Sequence, residues 1–230
     1  MKELIMKRLC TLICFICVFL GELYAQYTLD EGLDMIPFLE APYKERYLPE
    51  GRESSCFVEF NSSILGRMYS DLQCKKFSMA NKMIDFTPVV YLKIALPDHS
   101  ILGALSFGGV TDYQTDVLFI RDLKRRIRDT LECCVMLDEL PVKQYEVREM
   151  GEVVVYQMVL EHQGEIPDLP YQVHSIPLTG HIHRTTYFIA STKKFVKMKE
   201  EDTDTKTFSS ALLRDHNLWD EKAFGMTYKK

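Results

Sequence analysis

The sequence predicts an α+β fold: an antiparallel β-sheet, laid out as a β-meander, packed against one main amphipathic helix at about residues 121–137. Two observations carry this. Runs rich in valine, isoleucine and tyrosine occur as neighbouring pairs separated by turn residues, as hairpins require. One longer segment instead places apolar residues at helical spacing, with basic residues opposite. Strands before and after a single helix, joined by short turns, favour an antiparallel sheet over alternating β and α units.

The chain opens with an export pattern. Lys2, Lys7 and Arg8 precede an apolar run over residues 9–20, broken only by Thr11. Gly21 and Glu22 end the run, and Leu23-Tyr24-Ala25 places a small residue before Gln26. A basic start, a short apolar stretch and a small residue at the cut are the parts of a secretory signal peptide. The run is shorter than the ~20 apolar residues a membrane span needs. Residues 1–25 are therefore expected to be removed, which places the mature protein in the periplasm or outside the cell.

Residues 26–54 read as an extended arm, because Pro37, Pro42 and Pro49 recur with Gly32 and Gly51 and no period persists. Residues 55–196 hold the predicted α+β domain. Its first strand is residues 56–60. Residues 89–96 and 101–107 form a hairpin around Pro97-Asp98, and residues 116–120 add a short strand. The predicted helix follows, with Ile120, Leu123, Ile127, Leu131, Cys134 and Val135 on one stripe and Arg121, Lys124, Arg125 and Arg128 opposite. Beyond Pro141 the period returns to two. Residues 153–160 form a strand, and residues 171–178 and 181–190 form a hairpin turning at Thr179-Gly180. Residues 197–230 are expected to be a charged tail with a short amphipathic piece, residues 208–219, that docks back on the domain.

Composition narrows the functional classes. The full chain has 230 residues and a formal net charge of −5. Removing residues 1–25 takes away Lys2, Lys7 and Arg8 against Glu3 and Glu22, so the mature balance falls to −6 over 205 residues. An acidic chain is a poor phosphate binder, so no nucleic-acid partner is expected. No second apolar run is long enough to span a membrane. Three of the seven cysteines, Cys10, Cys14 and Cys17, lie in the signal segment. The remaining four allow disulfides in an oxidising compartment. Cys56–Cys74 is the candidate bridge, with buried free thiols as the alternative, and Cys133 and Cys134 read as structural cysteines.

Histidine supplies the one candidate site. If Thr179-Gly180 is a two-residue turn, His174, His181 and His183 share a face of the hairpin, with His174 and His183 diagonal to each other. Imidazoles grouped this way are zinc-like ligands. Ser106, in Ala104-Leu105-Ser106-Phe107-Gly108, imitates a nucleophile elbow, but the segments around it do not suit one. No catalytic set is complete, and no cofactor motif is present. The sequence thus favours an exported soluble binding or accessory protein whose partner is an unidentified envelope protein or small ligand. The alternative is a metal-dependent, zinc-like hydrolase built on the three histidines.

Overall fold

A computed structural model describes residues 28–45, 56–57, 89–108, 113–137, 140–161 and 176–229. The signal segment and Cys74, one half of the candidate Cys56–Cys74 bridge, lie outside the described residues. Within them, α1 (Leu29–Met35) precedes β1 (Tyr43–Lys44) and β2 (Cys56–Phe57). The body consists of β3 (Val89–Ala95), β4 (Ile101–Gly108), β5 (Tyr113–Arg121), β6 (Ile127–Leu137), β7 (Leu140–Val147), β8 (Glu152–Leu160), β9 (Pro177–Ile189) and β10 (Phe195–Asp202). β11 (Lys206–Ser209) and α2 (Ala211–Asp215) come last.

The fold is predominantly an antiparallel β-sheet. β2 to β10 pair in chain order, a meander, with β1 added on β7 and β11 on β9. The predicted helix over residues 121–137 is not there. Its basic beginning is a turn and the rest is strand β6. Asp122 makes the turn: its carboxylate accepts the backbone N–H groups of Lys124 and Arg126, both at 2.9 Å. Leu131 and Val135 follow Ile127 at intervals of four residues, a spacing that fits a period of two as well as one of 3.6. β-branched Ile127, Thr130 and Val135 then tip the segment toward strand.

The predicted turn at Thr179-Gly180 is also strand, since β9 runs through it unbroken. Gly180 is there for clearance. A Cβ at this position would lie 2.4 Å from the Val159 carbonyl oxygen on β8. Residues 197–202, expected to begin a charged tail, belong instead to β10 and pair with β9, with one irregularity between Lys197 and Lys199.

The sheet folds over at the β6–β7 hairpin. β6 pairs with β7 only near its end, through Val135, Met136 and Leu137. Its beginning meets β10 instead, where the Phe195 N–H donates to the Asp129 carboxylate at 2.8 Å. The two layers, β3–β6 and β7–β10, enclose one core that includes Leu92, Leu102, Leu118 and Ile120 from the first and Tyr145, Val153 and Val155 from the second. The segment before β1 closes the opposite side. The Leu39 N–H donates to the Lys93 carbonyl on the β3 edge, and the Glu45 N–H to the Tyr145 carbonyl on β7.

A second core lies on the outer face of β8–β9. Val154, Tyr156, Met158 and Ile182 are covered by Phe208, Leu213, Leu218, Phe224 and Met226 from the C-terminal segment. Buried Gln144 fastens that segment, accepting the Leu218 N–H and donating to the Asn217 side chain.

Candidate functional site

Two β-bulges aim polar groups into the main core. Tyr91 is the extra residue where β3 slips against β4, and Cys133 is the extra residue where β6 slips against β5. A bulge turns a side chain that regular pleating would point elsewhere. Here both converge on Asp116 of β5, which is 0% exposed. The Tyr91 hydroxyl donates to Asp116 Oδ2 at 2.8 Å and lies 2.9 Å from the Tyr145 hydroxyl. Cys133 Sγ is 3.4 Å from the Asp116 carbonyl oxygen, and Thr115 Oγ1 donates to the Cys134 carbonyl. Tyr43 and Glu45 complete the group from the closing segment. They share a side-chain hydrogen bond, and the Tyr43 ring packs 6.1 Å from that of Tyr145.

The electrostatics of this cluster favour the neutral forms of two phenols and one thiol. Burial, followed by the nearby Asp116 carboxyl, pushes the Tyr91 phenol well above its ordinary range. Burial, with Tyr43 and Glu45 beside it, does the same to Tyr145. Burial and Asp116 push up the Cys133 thiol. A thiol is a nucleophile only as thiolate, so Cys133 is chemically quiet in this setting. Cys133 and Cys134 are both buried.

Of the three predicted histidines, the structure describes His181 and His183. His174 lies outside the described residues. His181 and His183 share one face of β9, two residues apart, but they belong to a single strand and no hairpin turn separates them from residue 178. Their partners, Glu200 and Asp202, come from the part of β10 that the sequence assigns to the charged tail. His183 Nδ1 is 2.7 Å from Asp202 Oδ1, and its Nε2 is 3.5 Å from Glu200 and 3.1 Å from Thr185 Oγ1. His181 Nε2 is 3.7 Å from Asp202 Oδ1. The hydrogen bond from His183 holds the Asp202 carboxyl below its ordinary range, and Lys197 does the same for Glu200. Among the described residues, no group of three or more histidine, cysteine, aspartate or glutamate side chains is arranged to hold a metal ion.

Ser106 is a mid-strand residue of β4, buried and paired across the sheet with Asp116 and Val89. An elbow needs a strand-to-helix turn, and none is present there.

A third polar group lies on the outer face beneath the C-terminal segment. Glu146 Oε1 accepts from the Tyr156 hydroxyl at 2.7 Å and pairs with Arg148 at 2.6 Å, while Glu146 Oε2 pairs with Lys44 at 3.2 Å. Lys44 Nζ also sits 5.4 Å from the centre of the Trp219 ring. Arg184 stacks over Tyr228 and pairs with Glu201.

The sequence reading missed Tyr91, Asp116 and Tyr145. A signal was present: Asp116 leads the predicted strand 116–120, whose other residues are apolar, and a buried acid must find donors. No family model, curated protein or solved structure matches the chain.

Proposed function

We propose that this chain is an exported binding or accessory domain of the cell envelope or secreted space, and not an enzyme. The observation that carries the reading is the enclosure of the reactive side chains gathered around Asp116. Tyr91, Asp116, Cys133 and Tyr145 are all 5% exposed or less, and the phenols and the thiol are biased toward their neutral forms. Groups so placed fasten two layers together. They offer a substrate no access, and the phenols and the thiol are not charged nucleophiles. The export pattern of residues 1–25 supplies the compartment.

The test has two arms. The chain is expressed with its own N-terminus in a bacterial host, and the recovered protein is fractionated and sequenced from its N-terminus. The reading expects a start at or near Gln26 in the periplasm or medium; retention in the cytoplasm with residues 1–25 intact contradicts it. The recovered protein is then used both to capture components from an envelope extract and as catalyst on a panel of esters, peptides and phosphoesters. Hydrolysis that disappears in Asp116→Asn or Tyr91→Phe would overturn the non-catalytic assignment.

A metal-dependent hydrolase remains a second reading, supported by the Asp202 carboxylate that lies between His181 and His183. Two imidazoles and a carboxylate are suitable zinc ligands by type. In the present arrangement both ring nitrogens of His183 already have polar neighbours, so one must be released to bind metal. Stoichiometric zinc in the purified protein, with a melting temperature that falls on chelation, would favour this reading. No zinc and an unchanged melting temperature would remove it.

A further inference from the structure

The turn between β5 and β6 concentrates positive charge and exposes an apolar apex. Leu123, at its tip, is 74% exposed. Lys124, Arg125, Arg126 and Arg128 surround it and are exposed. In an antiparallel meander, the β3–β4, β5–β6, β7–β8 and β9–β10 turns emerge at the same end. Two contacts confirm this neighbourhood: Lys193 of the β9–β10 turn pairs with Asp98 of the β3–β4 turn, and the Phe195 N–H reaches Asp129 near the start of β6. Exposed Lys194 therefore adds to the basic end.

Among the acids at this end, Asp30, Asp98 and Asp122 are engaged by neighbouring groups, while exposed Glu149 of the β7–β8 turn adds one negative charge. Asp30 pairs with Arg121 and Arg125, Asp122 accepts two turn N–H groups, and Asp98 is held by Lys193. Lys124 and Arg126 have no side-chain ion pair among the described residues. Their charges, with that of Lys194, stand out on a chain whose total is negative.

We propose that this end of the molecule docks on an anionic lipid bilayer, with Leu123 entering the headgroup–acyl boundary and Lys124, Arg126 and Lys194 facing lipid phosphates. The apolar apex selects a bilayer over a soluble polyanion. A polyanion rewards only the basic residues, whereas a bilayer also buries Leu123. Asp122 closes the turn internally, so the tip is presented as a preformed wedge and little ordering is lost on contact. The attachment is peripheral and reversible, since one leucine and a few charges fall far short of a membrane span. This inference goes beyond the proposed binding role and does not depend on it.

The test is co-sedimentation with vesicles of phosphatidylcholine alone or mixed with phosphatidylglycerol. Wild type and variants come from the same preparation, so any contribution of residues 1–25 is common to all. Wild type is expected to bind the anionic vesicles, to ignore the neutral ones, and to be released by salt. Lys124→Gln with Arg126→Gln should weaken partitioning about 20- to 30-fold, at roughly a factor of five per charge. Leu123→Ala should weaken it by about five- to tenfold. These positions are exposed, so the variants should keep the wild-type melting temperature. Failure of wild type to bind anionic vesicles overturns the proposal, as does undiminished binding by the variants. Retention on a soluble polyanion that is insensitive to Leu123→Ala, without a Leu123 effect on vesicles, assigns the basic end to polyanions and also overturns it.

Discussion

The Tyr91 hydroxyl bonds Asp116 Oδ2 at 2.8 Å across 25 residues of chain, and it does so from a bulge. Without the extra residue in β3, regular alternation would not bring this phenol and its neighbours to the same point. The bond joins β3 to β5, and through Tyr145 it reaches β7 in the second layer. It is therefore a tie between layers, and its loss should be read as a loss of stability.

Tyr91→Phe removes a donor from a buried carboxyl and is expected to cost about 1–3 kcal/mol. Tyr145→Phe leaves the Tyr91–Asp116 bond intact and should cost less, about 0.5–1.5 kcal/mol. Urea unfolding of the two variants checks the ranking. Equal or negligible losses would mean that the hydroxyls do not hold the layers.

Among the described residues, three turns place a non-glycine residue in the left-handed region: His99, Arg125 and Lys193, with φ of 63°, 61° and 62°. Each closes the same way, its N–H donating to the carbonyl three residues back. That conformation crowds a Cβ and suits glycine. His99→Gly should stabilise the protein by about 0.5–1 kcal/mol, read as a rise in melting temperature. Lys193→Gly should gain less, because it also loses the pair with Asp98.

Gly103 faces Phe119 directly across β4 and β5, and a Cβ there would lie 2.3 Å from the ring. At Gly180 the obstacle is backbone, at 2.4 Å, which cannot rotate away. Both alanine substitutions overpack the sheet, and about 1–3 kcal/mol is expected for each. Gly180→Ala should be the worse of the two in thermal unfolding.

Glu146 predicts how the protein responds to acid. Burial raises its pKa, but the hydrogen bonds from Tyr156 and Arg148, with Lys44 beside them, outweigh burial and leave it below 4.5. A carboxyl with a depressed folded-state pKa contributes stability above its unfolded value and loses it as pH falls through the folded one. The melting temperature of wild type should therefore exceed that of Glu146→Gln near neutrality, and the two should converge once pH falls well below 4.5. A gap that stays constant to low pH would show that the carboxylate charge is not the source.

The sequence made the meander legible through its paired β-rich runs, and the shared face of His181 and His183 followed from simple alternation. Other features were hidden for specific physical reasons. The stripe through Ile127, Leu131 and Val135 satisfies two periods at once, so periodicity alone does not decide between helix and strand. Gly180 looks like a turn residue because turns and close strand contacts both call for a missing side chain. The Asp116 cluster depends on two bulges, which shift register by one residue and follow no local composition rule. The charge-rich stretch past Lys197 looked like solvated tail, yet charge is also how an edge strand resists pairing with other chains.

The central claim is that the group around Asp116 is sealed, and the thiols of Cys133 and Cys134 report on it most directly. In a Cys56→Ser/Cys74→Ser background, with residues 1–25 removed by processing, they are the only cysteines left. Their reaction with a soluble aromatic disulfide should be undetectable in the native protein and should proceed at the rate of global unfolding. Rapid reaction under native conditions, well ahead of unfolding, would show that solvent reaches the cluster and would contradict its assignment as a closed structural tie.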